Sequence, residues 1–374
     1  MKRLTRRTTL ATAGMALLAG CLDTLGGRGE SGDDSSTSAG DEEYPDPVES
    51  VDNPHGGVPT TERNLPLPDE LSEMDQWTEQ GAPKDAIPVI DDPEFMDAAD
   101  GDAHLDPGDP IIGMVHDGEP RAYPQNILVW HEIVNDVIGG DAISVTYCPL
   151  TGTAQAFARG NTTFGVSGLL LNSNLIMYDR ASDTYWPQML AVGLAGEHVG
   201  AELVEFNVVW TDWEDWRTNY PETDVLTEET GYARDYQRDP YGSFNPIGGY
   251  YEGESLMFPQ YSDGAEYDFH PKEVFIGART EEGAVAVSKD TLAEQGIMEG
   301  TLGGTQYVMV YDGTLHTGWC YRNPDAYDIR ADNGRVLVDG DPHEPDSLPI
   351  DPVVRYDAMW FAWEGYYPET EVWQ

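Results

Sequence analysis

One stretch of this chain occurs twice. Residues 276 to 321, IGARTEEGAVAVSKDTLAEQGIMEGTLGGTQYVMVYDGTLHTGWCY, align without a gap to residues 112 to 157 at an offset of 164, and nine of 46 positions are identical. Chance gives about three on average composition. Ile112/Ile276, Gly113/Gly277, Ala122/Ala286, Leu128/Leu292, Gly139/Gly303, Gly140/Gly304 and Tyr147/Tyr311 are among the identities. A chain built this way must use one local structure twice and pack the two copies together.

The local structure follows from periodicity. Apolar runs on either side of Asp117-Gly118 predict a β-hairpin. Ile127, Leu128, Ile133, Val134 and Val137 fall at helical spacing, which predicts a helix ended by Gly139-Gly140. AISVTYC is a β-branched and aromatic strand, turned by Pro149, Leu150, Thr151 and Gly152 into TAQAFAR. The expected fold class is therefore α+β, mainly β, with a duplicated ββαββ unit forming one compact two-lobed domain. The aromatic end MWFAWEGYYPE reads as a core strand and turn.

The repeat also separates scaffold from chemistry. Its shared positions are glycines and apolar residues. His131 aligns with Gln295 and Cys148 with Asp312, so these polar groups stand in the first half only. The first half is expected to carry the site and the second to support it.

The N-terminus, MKRLTRRTTLATAGMALLAGC, has basic residues, the pair Arg6-Arg7 and a short apolar run from Ala11 to Ala19. About 20 apolar residues are needed to span a bilayer, so the run reads as a signal segment. The twin arginines predict Tat export. Leu18-Ala19-Gly20-Cys21 has the form of a lipobox, with Cys21 as the lipidated residue. Residues 22–50, rich in Gly, Ser and acid, read as a flexible tether, and 51–105 as a Pro-rich wrapping segment. The main domain spans 106–372, with halves at about 106–260 and 261–372. The expected location is the outer face of the cytoplasmic membrane, with membrane contact only through the lipid.

Charge narrows the partners. The chain has 68 acidic against 20 basic residues, a net charge of -48. Such a field repels nucleic acid and anionic lipid surfaces. The acid is spread along a chain with a core-sized apolar fraction, which suits a protein folded in high salt, where charge repulsion is screened. A haloarchaeal source is the expectation.

Several long motifs then resemble one family. YPQNILVWHEIVNDVIGG, VTYCPLTGTAQAF, FGVSGLLLNSNLIMYDR, DTYWPQ, TGYARDYQRDPYG, HPKEVFIG and YDAMWFAWEGYYPETEVW are similar to the DUF3179 family, a domain of unknown function. The resemblance covers roughly 106 to 372 and implies an extracytoplasmic setting and one shared architecture, but no activity. Many relatives carry C-x-x-C where this chain has Cys148 followed by Thr151. A dithiol mechanism within that turn is thereby excluded here.

Three site readings remain open. The leading one is a metal centre, copper or zinc, held by Cys148, His131 and His270, with Glu132 orienting the imidazole. Met177 would complete a copper ligand set, although core packing accounts for it as well. The second is a cysteine-dependent enzyme in which a Cys148 thiolate works with a histidine. The third is a ligand- or sugar-binding surface module. Its pocket would be bordered by Asn172, Asn174, Met177, Asp179, Arg180, Trp186 and Gln188 on one side. On the other side would stand Arg234, Asp235, Asp239, Tyr241 and Lys272. Against a binding role, Arg180, Arg234 and Arg238 can simply pair with the adjacent Asp179, Asp235 and Asp239. A Cys148–Cys320 disulfide would exclude the first two readings.

Overall fold

Asp117 and Gly118 adopt left-handed backbone, at φ 49° and 81°, which is the geometry of a two-residue turn matched to strand twist. They join β1 (Pro110–His116) to β2 (Glu119–Pro124). The computed structural model in which this is seen describes residues 57–68, 71, 77–79, 83–258 and 269–374. The expected signal segment, Cys21 and the tether lie outside them. Helix α1 then runs only from Gln125 to His131. Glu132 follows at φ 60°, and β3 (Ile133–Ile138) pairs with β4 (Asp141–Cys148) across Gly139-Gly140.

This corrects the expected helix. Ile133, Val134, Val137 and Ile138 satisfy helical spacing, but their branched side chains suit a strand better. The Gly-Gly pair is a hairpin turn, not a helix end. β5 (Thr153–Ala158) completes a meander with β3 and β4, and β6 (Phe164–Leu171) pairs with β7 (Asn174–Asp179). The strand β8 (Glu205–Phe206) adds to the free edge of β5. The unit is thus ββαβββ, not the expected ββαββ.

β9 (Val209–Asp212) lies beside β1. Helix α2 (Trp213–Asn219) and β10 (Asp224–Leu226), which runs parallel to β2, complete that sheet. A small hairpin, β11 (Gly242–Phe244) and β12 (Ile247–Gly249), leads toward the second half.

There the elements are β13 (Val274–Thr280), β14 (Gly283–Ser288), α3 (Lys289–Gln295), β15 (Ile297–Leu302), β16 (Thr305–Asp312) and β17 (Thr317–Arg322). Each starts and ends 164 residues after its first-half counterpart. β18 (Asp351–Val353) adds to β17, and β19 (Arg355–Met359) adds to β13. Helix α4 (Trp360–Tyr366) and β20 (Glu371–Trp373) close the chain. The sheet orders β9-β1-β2-β10 and β19-β13-β14-β20 correspond. The aromatic end is therefore a helix, correcting the expected strand and turn. Trp360, Trp363 and Tyr366–Tyr367 recur at helical spacing and are buried.

The molecule is mainly β. Segments ahead of residue 106 contribute edge strands: Trp77–Glu79 pairs with β6, and Phe95–Asp97 with β10. At the junction of the halves, Glu205 on β8 meets Arg279 on β13 at 3.0 Å, with both side chains about 1% exposed. Arg63 approaches the same carboxylate at 2.5 Å, and Gln155 donates to it at 2.9 Å. Burial pushes Glu205 up, but the two guanidinium groups more than offset it and hold the carboxyl below its ordinary value.

Each helix in the pair α2 and α4 sets a tryptophan on a glycine. A Cβ on Gly113 would lie 2.3 Å from the Trp216 ring, and one on Gly277 2.2 Å from Trp363. We therefore expect Gly113→Ala and Gly277→Ala each to destabilise by about 1–3 kcal/mol through overpacking. Chemical denaturation in high salt measures both; an unchanged midpoint in either would show that its tryptophan is not seated as described.

Candidate functional site

The last helical residue of α1 and the residue that ends it, His131 and Glu132, face two different surroundings. His131 Nδ1 lies 2.6 Å from the carbonyl of Pro88, and Nε2 lies 2.7 Å from Tyr236 Oη. A carbonyl only accepts, so Nδ1 carries the proton and Nε2 accepts from the tyrosine hydroxyl. Thr230 Oγ1 is 2.5 Å from the same Oη. Burial holds His131 below its ordinary pKa, the Pro88 bond raises it, and Arg234 lowers it. The ring of Tyr232 stands 5.6 Å from the imidazole. Trp130 Nε1 donates to the Arg238 carbonyl at 3.1 Å. Two of the motifs noted in the sequence, WHE and TGYARDYQRDPYG, thus meet at His131.

Glu132 is buried and holds a left-handed backbone at φ 60°; the residue 164 further on is Gly296, at φ 75°. For a residue with a side chain that conformation costs about 1–2 kcal/mol. No described residue hydrogen-bonds the carboxyl, and Oε2 is buried without a partner. Desolvation alone raises it from 4.5 to about 8. Cys148, 1% exposed, makes a long contact to the Ser173 carbonyl, at 3.9 Å, and its sulfur is also approached by Thr151 and by the backbone of Leu150 and Leu175. Burial, then the charge of Glu132, pushes its thiol up to about 12.

Tyr241 and Tyr250 pack against the apolar cluster that holds Cys148 and are raised above the usual tyrosine range, first by burial. Charge on Glu132 and Cys148 adds to this for Tyr241, and charge on Cys148 for Tyr250. Tyr250 donates to the Leu150 carbonyl at 2.8 Å. Lys272 is buried, reaches the carbonyls of Tyr250 and Ser255, and stands 3.5 Å from the Tyr250 ring centre. Burial lowers its pKa to about 8. At neutral pH the centre is therefore a set of uncharged carboxyl, thiol and phenol groups, with one ammonium beside Tyr250.

The expected metal trio does not come together. Among the described residues no group of three His, Cys, Asp or Glu is arranged to hold a metal. Both nitrogens of His131 are engaged, and His270 is exposed, its Nδ1 accepting from the Lys272 amide at 3.2 Å. The thiolate reading loses its imidazole for the same reason, and its thiol stays protonated. Cys148 and Cys320 are both free and buried, so no disulfide joins them.

The expected pocket border is mostly interior. Asn174 donates to Thr151 and Gln188, and Gln188 to Thr146, all within 2.9 Å. Asn172, in the turn between β6 and β7, is buried, and Met177 belongs to the core. Asp179 accepts from Ser182 and Trp186, while Arg180 pairs with Asp91 and Asp85, not with its neighbour. Asp239 accepts from the Tyr241 amide and the Tyr251 hydroxyl. Neither Arg234 nor Arg238 forms an ion pair with another described residue, so the expected pairing with Asp235 and Asp239 fails; Asp235 itself is exposed. Thr230, Tyr236 and Tyr250 were not singled out from the sequence. The mismatch of Glu132 with Gly296 in the repeat was the available signal for a special backbone position.

The fold is a mainly β domain in which one run of elements recurs 164 residues later, with an uncharged polar centre at the end of α1. The family model described as "Protein of unknown function (DUF3179)" matches residues 84–370, and the chain belongs to that family. No curated protein and no solved structure matches it.

A pH test follows from Glu132. Its folded pKa is raised from 4.5 to about 8, so the stability contributed by the neutral carboxyl is complete below pH 4.5 and is lost as pH rises through 8. Glu132→Gln cannot ionise. Relative to it, wild type should lose stability with a slope of up to about 1.4 kcal/mol per pH unit as that window is crossed. Parallel denaturation curves at pH 4, 6, 8 and 9 would mean that the carboxyl is solvated.

Proposed function

We propose that this protein is an exported, lipid-anchored ligand-binding module on the outer face of the cytoplasmic membrane, with its site at Glu132. The ligand is small and uncharged and forms hydrogen bonds. The observation that carries this reading is the Glu132 carboxyl: buried, without a partner among the described residues, and held in a backbone conformation that glycine occupies in the second half. A buried polar group left unpaired costs about 1–3 kcal/mol, and strain of this kind collects where a group is needed for more than folding. A cation would enter without a compensating charge, and the one ammonium, Lys272, is already held by the Tyr250 and Ser255 carbonyls. Tyr241 and Tyr250 give aromatic surface and hydroxyls to such a ligand.

Glu132→Gly separates function from stability. It relieves the strained backbone and removes the buried carboxyl, so it should be more stable than wild type by about 1–2 kcal/mol. Thermal-shift measurements with small amides, alcohols and diols should find a compound that raises the wild-type Tm and leaves Glu132→Gly unmoved. A compound that shifts both equally, or a destabilised glycine variant, would overturn the reading.

Export rests on Arg6-Arg7 and Cys21. Replacing Cys21 with Ala should move the protein from the membrane fraction to the soluble exported fraction. Replacing both arginines with lysines should retain it in the cytoplasm. Fractionation and mass measurement of the mature N-terminus check both outcomes.

A further inference from the structure

The two halves leave a cleft between them, away from Glu132. Its volume is about 270 Å³, and it is lined by Gly108, Pro110, Trp210, Thr211, Asp212, Phe244, Asn245, Val274 and Lys289. At ~30 Å³ per water it holds roughly nine water molecules, the scale of a small sugar ring. Its place is set by the recurrence of the fold. Pro110 and Val274 open β1 and β13, at equivalent positions. Gln125 and Lys289 open α1 and α3. Trp210 donates to Gln125 at 2.9 Å, while Lys289 donates to Asp357 at 2.7 Å. The same contact is thus made twice with different chemistry, and the cleft lies where the two versions face each other.

We infer that this cleft is a second binding site, for a small neutral carbohydrate or polyol. Trp210 and Phe244 meet edge to face, with centroids 4.7 Å apart, and give an aromatic wall for the apolar face of a sugar. Pro110 and Val274 extend the apolar surface. Around it stand hydrogen-bonding groups with capacity to spare. Asp212 uses Oδ1 to cap α2 at Asp215, and its other oxygen can accept. Asn245 donates through Nδ2 to the Gly108 carbonyl at 3.0 Å, leaving its carbonyl oxygen as acceptor. Lys289 spends two protons on Trp210 O and Asp357, at 2.9 and 2.7 Å, and keeps a third.

Charge sets the class. Lys289 is neutralised by Asp357, so Asp212 leaves the lining with a net negative charge, and an anionic sugar is disfavoured. A neutral ring with several hydroxyls matches both the wall and the mixed donors and acceptors. A purely apolar ligand would leave the free oxygens of Asp212 and Asn245 without donors.

Titration calorimetry of the full-length protein in high salt tests this, with D-glucose, D-galactose, myo-inositol and D-glucuronate as probes. At least one neutral probe should bind saturably, and glucuronate more weakly than its neutral counterpart. Phe244→Ala, which removes half of the aromatic wall, should weaken binding about tenfold, and Asp212→Asn, which keeps the helix cap, several-fold. Glu132→Gln should leave it unchanged, so failure at one site is distinguishable from failure at the other. The inference falls if no neutral probe binds, if glucuronate binds best, or if both cleft variants bind as wild type.

Discussion

The buried carboxylate of Glu205 ties the two halves into one body. It is gripped by Arg279 from the second half and Arg63 from the N-terminal segment, with Gln155 as a third donor. Removing one partner from such a group leaves a charge uncompensated in the core, a loss of about 3–5 kcal/mol. Its net contribution to stability is smaller, because three charged groups were desolvated to form it. Its larger effect is on register. β8 must meet β5 where Arg279 can reach across, and that fixes how β13 sits against the first-half meander. The Gln188, Thr146, Asn174 and Thr151 network continues the polar line through the core. Thr151 then accepts from the Met359 amide at 2.8 Å, back in the second half. Apolar packing fills this interior, while the polar line allows only one way of assembling it.

Much of the architecture was legible. Identities at an offset of 164 marked two segments whose elements begin and end in step. The helix was misjudged because Ile133 to Ile138 fit two periodicities, and only the left-handed backbone at Glu132 decides between them. A second recurrence was legible but was hidden by a change of offset. Residues 213–225, WEDWRTNYPETDV, and 360–372, WFAWEGYYPETEV, share both tryptophans and the run YPET. They lie 147 positions apart, since the second half has a shorter connection. Both form a helix whose second tryptophan rests on a strand glycine and donates to the threonine of YPET at 3.0 Å. A single fixed offset could not find them.

The site was legible as a neighbourhood and not as a mechanism. The WHE and TGYARDYQRDPYG motifs do meet, but through tyrosine hydroxyls whose reach depends on tertiary structure. His131 carries a hydrogen bond at each nitrogen, which no spacing rule reveals. Arg180 likewise found distant partners, and Arg234 and Arg238 form no ion pair with another described residue, because sequence adjacency places neighbouring side chains on different sides of an extended chain.

The two halves also indicate where function diverged from support. The counterpart of Cys148 is Asp312, whose oxygens accept from Thr314, Leu315 and Trp319 and close a turn. The counterpart of Glu132 is Gly296, which occupies the left-handed region without strain. Each second-half residue is what folding alone would select: a satisfied acceptor, and a glycine at the end of a helix. Each first-half residue departs from that choice in an unfavourable direction, with a carboxyl that no described residue hydrogen-bonds, a buried thiol and a strained backbone. Folding needs none of these departures, since the same scaffold does without them 164 residues later. Their concentration around one helix end is the asymmetry on which the proposed site at Glu132 rests.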